Sequence, residues 1–356
     1  MSEERETLRE KLLSPRKNGY DRIKAEELQA MERYCGLYKT FLQQGKTERE
    51  CARVAVELAE KAGFKPYERG TALAAGDKIY RVNRDKSVML AVIGRESLAQ
   101  GAHIVAAHID SPRLDLKPNP LYEEADIGYF KTHYYGGIKK YQWTTIPLAI
   151  HGVVVKKDGT KVEITVGEEE SDPIFYISDL LPHLAKDQVN KTLGEGIPGE
   201  KLNVIIGSTP YDQSADGGVK LHMMQILNEK YGIVEQEFQS AELSVVPAMK
   251  AREVGFDRSL IAGYGHDDRV CAHPAIRALA DTDESAHTVM AILADKEEVG
   301  SGGNTGMQSG IFLDIMEEIC KSLGANFNIV KNNSKCLSAD VNAAYDPNFA
   351  DVYEKR

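Results

Sequence analysis

His287-Thr288-Val289-Met290-Ala291-Ile292-Leu293-Ala294, running straight into Asp295-Lys296-Glu297-Glu298-Val299-Gly300-Ser301, is the stretch on which the reading turns. The apolar run is too short to need a helix and rich enough in branched side chains to form a buried strand. Two neighbouring acids, Glu297 and Glu298, then stand at its mouth, before a glycine-rich turn. Carboxylates in that position cost solvation free energy unless a metal or another cation offsets it. A pair can also divide the labour, one acid holding a metal while the other handles a proton, as metal-assisted hydrolysis requires. An acidic doublet alone is common, so its company in the chain decides.

Around that strand the pattern alternates. A helix follows Asp268, another covers Ile311–Leu323, and strands are expected at Leu243–Val246, Thr288–Leu293 and Cys336–Ala339. Upstream, the first sixty residues read as helical, with Thr47 and Glu50 as a capping box and Cys51, Val54, Ala55, Leu58 and Ala62 on one face before Gly63. Strands are expected at Lys78–Val82, Ser87–Ile93 and His103–Ala107. Strands alternating with helices imply an α/β fold, a mostly parallel sheet sandwiched by helices. Residues 115–245 differ, with many aromatics, Gly136-Gly137 and a strand pair at Ile150–Val155 and Val162–Val166. They read as an inserted β-rich second domain, leaving residues 1–114 and 246–356 as the catalytic domain.

Composition narrows the class. A chain of 356 residues with 42% hydrophobic content can bury a large core. Its net charge of −10 argues against nucleic acid and against a polybasic membrane patch. No apolar stretch reaches the length of a membrane span, and MSEERETLREK is the opposite of a signal peptide. The five cysteines are scattered, with no Cys-x-x-Cys pair, which suits free thiols in the cytoplasm.

Four motifs share one placement, beyond a strand's carboxyl end or at the entry to a helix, where α/β sheets bind ligands. They are His108-Ile109-Asp110-Ser111-Pro112, Gly265-His266-Asp267-Asp268-Arg269, the Glu297-Glu298 doublet, and Ser338-Ala339-Asp340. Residues 108 and 110 project to one side of an extended segment, so Asp110 can hold the His108 imidazole in one tautomer. One imidazole and several carboxylates on one rim suit two divalent ions, zinc first, with manganese or cobalt as alternatives. Each motif also has an ordinary reading. His-x-Asp is a common surface pair, Asp267-Asp268 can cap the following helix, and Asp340 can form a strand-end turn. Joint placement favours the metal site. Gly300–Gly306 lacks the lysine and hydroxyl of a phosphate loop, and no Gly-x-Ser-x-Gly elbow is present.

His-Ile-Asp-Ser-Pro at 108–112, Tyr-Gly-Gly-Ile at 135–138, Val-Pro-Ala at 246–248, Gly-His-Asp-Asp at 265–268, Asp-Lys-Glu-Glu-Val-Gly-Ser at 295–301 and Ser-Ala-Asp-Val at 338–341 together resemble the aspartyl aminopeptidases, family eighteen of the metallopeptidases. The resemblance runs over nearly the whole chain. It implies a cocatalytic zinc aminopeptidase acting on peptides with a free amino terminus, with a β-rich domain packed between subunits of a homo-oligomer that reaches dodecamers. Carried over by position, it implies that His108 and Asp340 bind one metal, Asp267 bridges both and Glu298 binds the second. Glu297 would be the general base, and Asp110 would orient His108. Two such cations polarise the scissile carbonyl and lower the pKa of a shared water.

Relatives continue beyond residue 356 and supply a late histidine to the second metal. The resemblance therefore implies a fragment or truncated product with that second site in question. Asn342–Asn348 also replaces a histidine-bearing version of the fourth motif. Two other readings stay open: a catalytically silent subunit keeping fold and oligomer contacts, and a dinuclear hydrolase of N-acyl amides. The preferred amino-terminal residue is not legible.

Overall fold

At Thr47 both halves of the expected capping box are made: the Thr47 side chain accepts from the Glu50 N–H, and the Glu50 carboxylate accepts from the Thr47 N–H. A helix starts there because two orphan amides find partners at once. The computed structural model describes residues 3–14, 18–212 and 217–354. The helical reading of the first sixty residues and the domain ranges also take in residues 1, 2, 15–17, 213–216, 355 and 356, which lie outside the described residues.

In chain order the elements are α1 (Glu3–Leu12), α2 (Ala25–Gln44), α3 (Glu48–Lys61), β1 (Lys65–Pro66), β2 (Lys78–Asn83), β3 (Ser87–Val92), β4 (His103–His108), β5 (Arg113–Glu124) and β6 (Ile127–Tyr135). Next come β7 (Leu148–Val155), β8 (Lys161–Val166), α4 (Lys186–Val189), α5 (Leu193–Gly196), β9 (Val204–Gly207), α6 (Gly218–Tyr231) and β10 (Ala241–Pro247). The last are β11 (Arg252–Val254), β12 (Leu260–Ala262), α7 (His266–Ala280), β13 (Val289–Ala294), α8 (Ile311–Ser322), α9 (Phe327–Asn333) and β14 (Lys335–Ser338).

The first sheet has the order β1-β2-β3-β13-β4-β14. Strand β13 is apolar on every residue, and β3 from Val88 onward, because both faces of the sheet are covered there. Val88, Leu90, Ala291 and Leu293 pack with Cys51 and Ala55 of α3 and Ala272 and Ile276 of α7. Alternate residues Met89, Ala91, Met290 and Ile292 face Phe312, Ile315 and Ile319 of α8 and Val330 of α9. The sheet is mixed. Strand β13 runs parallel to β4, and β14 runs parallel to β4 on its other side, whereas β3 is antiparallel to both β2 and β13. Three neighbouring strands therefore end at the same rim, with Ala294 opposite His108 and Ser338 opposite Ala106.

The second sheet, β8-β7-β10-β5-β6-β9, is antiparallel throughout and has its own apolar core. The strand expected at Leu243–Val246 as the restart of α/β alternation belongs here instead. As part of β10 it pairs with β7 and β5. An apolar run reports burial, not which sheet buries it.

Buried charges join the two sheets beside the shared rim. The Arg113 guanidinium donates to Glu48 at 3.0 Å and to Asp115 at 2.8 Å, and Lys86 reaches Glu48 at 3.3 Å. Burial by itself would raise the Glu48 pKa, but Arg113 and Lys86 more than reverse that and hold it well below the usual carboxylate range. A depressed carboxylate stabilises the fold above its unfolded pKa of about 4.3 and loses that contribution as the pH falls. Glu48→Ala leaves Arg113 buried without its strongest partner, and we expect a loss of about 3–5 kcal/mol near neutrality. Denaturant midpoints check this, and the gap between parent and variant should narrow as the medium is acidified.

Candidate metal centre

The convergent strand ends fix where the polar residues go. His108 is the last residue of β4 and is 4% exposed; its Nε2 lies 3.0 Å from Asp267 Oδ1 and 3.6 Å from Glu297 Oε2. Its Nδ1 lies 3.0 Å from the Asp110 carbonyl oxygen and 3.2 Å from Asp110 Oδ1. Burial pushes the imidazole pKa down, but the hydrogen bond and charge of Asp110 lift it to about 9. A cation placed among the same acids competes directly with that proton.

Asp110 is fully buried and acts as a hub. Its Oδ1 accepts from the Glu297 N–H at 3.1 Å, and its Oδ2 accepts from the Glu298 N–H at 3.2 Å and the Tyr135 hydroxyl at 2.7 Å. Burial works against its charge, while these hydrogen bonds and the one with His108 bring its pKa down. The short turn Glu297–Val299 thus points its first amides at a carboxylate remote in sequence. Asp295, one turn earlier, is occupied structurally. It accepts from the Thr305 hydroxyl at 2.7 Å and pins the glycine-rich loop.

Asp267 enters from the start of α7, where Asp267 and Asp268 have non-helical dihedrals and the peptide between them is cis. The Ser111 hydroxyl donates to the Asp267 carbonyl at 2.7 Å, tying this turn to the end of β4. Gly265 has φ +85°, and a Cβ there would lie 1.8 Å from Arg269 Nη1. Only glycine lets the buried guanidinium pass, and it donates to the carbonyls of Lys46 at 3.0 Å and Ile109 at 3.5 Å. The helix-capping alternative for Asp267-Asp268 fails, since neither side chain caps α7. Asp268 is buried and its pKa is pushed up to about 6, chiefly by that burial.

His108, Asp267 and Asp340 each offer a donor atom, all within 4.8 Å of one another. One imidazole and carboxylate oxygens form a donor set that suits zinc, whose bonds of about 2 Å need donors gathered to this range. Glu298 lies outside that trio but next to it. Burial and the Asp267 charge raise its pKa to about 7. Asp267 and Glu297 have side chains about half exposed, at 53% and 47%, so this side of the cluster opens to solvent.

The model of the aminopeptidase I zinc metalloprotease family, M18, matches residues 41–356. The chain belongs to the M18 family. It is a metallo-aminopeptidase. A probable M18 family aminopeptidase 1 from Clostridium acetobutylicum is 49% identical over 355 residues, which cover 97% of this chain and 76% of that relative. The crystal structure of the M18 aminopeptidase from Thermotoga maritima superimposes with a TM-score of 0.90 at 43% identity, covering 96% of this chain and 75% of that one. The S. cerevesiae mApe1 dodecamer shares the fold at 22% identity with a TM-score of 0.73, over 92% of this chain and 75% of that one.

Sequence reading of this M18 chain missed Ser111 and Tyr135 as members of the site, although both lie in motifs it had quoted. Of the other histidines, His266, next to Asp267, turns its Nδ1 to the Tyr38 hydroxyl at 2.8 Å. His273 packs against Tyr34, Tyr38 and Phe41, and His151 is held between Glu50 and Glu168. Among the described residues no helix is long and apolar enough to cross a membrane.

Proposed function

We propose that this chain hydrolyses amino-terminal residues from peptides with a free amino terminus, using two divalent cations, zinc first. The observation that carries the reading is the gathering of His108, Asp267 and Asp340 donors within 4.8 Å, beside Glu297 and Glu298. His108 and Asp340 would hold one ion, Glu298 the other, and Asp267 both. Such a pair supplies Lewis acidity toward the scissile carbonyl and the attacking water. Glu297 takes the proton from that water and hands it to the leaving amine, for which an exposed carboxylate at the rim of the cluster is suited. Asp110 fixes the His108 ring and, through the two amides it accepts from, the turn that carries Glu297 and Glu298.

Residues 115–245 we assign to an inserted β-rich unit that packs between subunits of a homo-oligomer. Leu180, Leu181, Leu184, Val189 and Leu193 are all exposed there, an apolar surface of the kind that marks protein contacts. The mApe1 relative is described as a dodecamer. Five free cysteines support a cytoplasmic location.

The test combines metal analysis with turnover. Purified protein equilibrated with zinc should retain two equivalents per chain and release amino acids from unblocked dipeptides but not from N-acetylated ones. Preference for the blocked substrates would favour an N-acyl amide hydrolase. Fewer than one equivalent and no release would favour the silent subunit.

A further inference from the structure

We propose that Tyr135 is a positioning residue of the peptidase site, acting on it through Asp110. The proposal rests on the metallo-aminopeptidase reading above and adds a part to it that comes from the other sheet.

Tyr135 ends β6, on the antiparallel sheet, yet its hydroxyl donates to Asp110 Oδ2 at 2.7 Å. Asp110 has about four lone-pair sites. They meet His108 Nδ1 at 3.2 Å, the Glu297 N–H at 3.1 Å, the Glu298 N–H at 3.2 Å and the Tyr135 hydroxyl. Three hydrogen bonds and the imidazole beside it hold the carboxylate in this orientation. Of its four partners, three belong to residues assigned to ligation or proton transfer. Tyr135 is the fourth, and it fixes the carboxylate from outside the first sheet.

The ring is itself held. The Arg113 guanidinium lies 4.0 Å from the Tyr135 ring centroid and is anchored by Glu48 and Asp115. Gly136 follows with φ +71°, and a Cβ on it would come within 2.9 Å of Glu298 Oε2 and 3.1 Å of Glu298 Cβ. The end of β6 and the glycine after it therefore reach the site at two points, by a hydroxyl on Asp110 and by bare backbone against Glu298. Groups hydrogen-bonded to a metal-ligating residue, as Asp110 is to His108, typically affect affinity or activity by about 10–100-fold, and Tyr135 acts through that group.

Tyr135→Phe keeps the ring and its stacking against Arg113 and deletes only the hydroxyl. Zinc affinity, titrated on metal-free protein against a chelating dye, should weaken measurably, by up to the roughly 10–100-fold that follows loss of a ligand's own hydrogen-bond partner, since Tyr135 stands one step beyond Asp110. The visible spectrum of the cobalt-loaded variant should shift, and kcat should fall while KM stays put. Melting of the metal-free variant should match the parent. Because the effect runs through Asp110, Tyr135→Phe should add no further loss in an Asp110→Asn background. Three results overturn the role: unchanged zinc affinity and kcat in Tyr135→Phe, equal losses in both backgrounds, or a loss that tracks a lower melting temperature of the metal-free protein. A parent that binds no zinc removes the peptidase reading and this proposal with it, whereas a parent that binds zinc beside an indistinguishable variant overturns the positioning role alone.

Discussion

Replacing Glu297 by glutamine is expected to lower kcat by roughly 10²–10⁴-fold and to leave the zinc content unchanged. The proposed job of Glu297 is to accept a proton, and an amide of nearly the same shape cannot do so. Its side chain is 47% exposed and lies 3.6 Å from His108 Nε2, outside the trio of His108, Asp267 and Asp340 whose donors lie within 4.8 Å. The backbone contact that positions it, its N–H to Asp110 at 3.1 Å, does not involve the side chain and survives the change. A variant that loses zinc together with turnover would make Glu297 a ligand rather than the base. Single-turnover kinetics beside metal analysis separates the two.

His108→Ala is expected to remove activity by the opposite route, through loss of zinc. His108 is the one nitrogen donor in the trio and lies almost wholly inside the protein, between Asp110 on one ring nitrogen and Asp267 on the other. Truncation leaves carboxylates facing each other with no imidazole between them, so affinity should fall by more than the approximately 10–100-fold that follows loss of an outer partner. Dialysis against a chelator of graded strength measures this. Retention of the parental zinc content would exclude His108 as a ligand. Partial rescue by added imidazole would strengthen the assignment.

Much of the fold was legible because burial leaves a periodic trace. The run at 289–294 is apolar on consecutive residues because β13 is covered by α3 and α7 on one face and by α8 and α9 on the other. The Thr47 and Glu50 box is local chemistry and formed as local chemistry predicts. Helix α6 went unread because its apolar residues are spread around the helix instead of lining one side. The strand at 243–246 was recognised as a strand and assigned to the wrong sheet, since its pattern is equally compatible with either.

The sequence by itself determined which residue types stand at strand ends: one histidine, then acids in motifs dispersed from 108 to 340. It also placed the chain among relatives whose motifs it carries in order. Only the tertiary structure decided which of those acids meet. Three strands, β13, β4 and β14, run side by side in one direction, so residues far apart in sequence arrive at one rim.

Tertiary structure alone also gave Asp110 its remaining partner from the second sheet. A hydroxyl at the end of β6 carries no sequence signal of where it points, because that direction is set by how the two sheets dock. If zinc shows no preference for the parent over His108→Ala protein, the shared rim is a crowd of acids and not a metal centre.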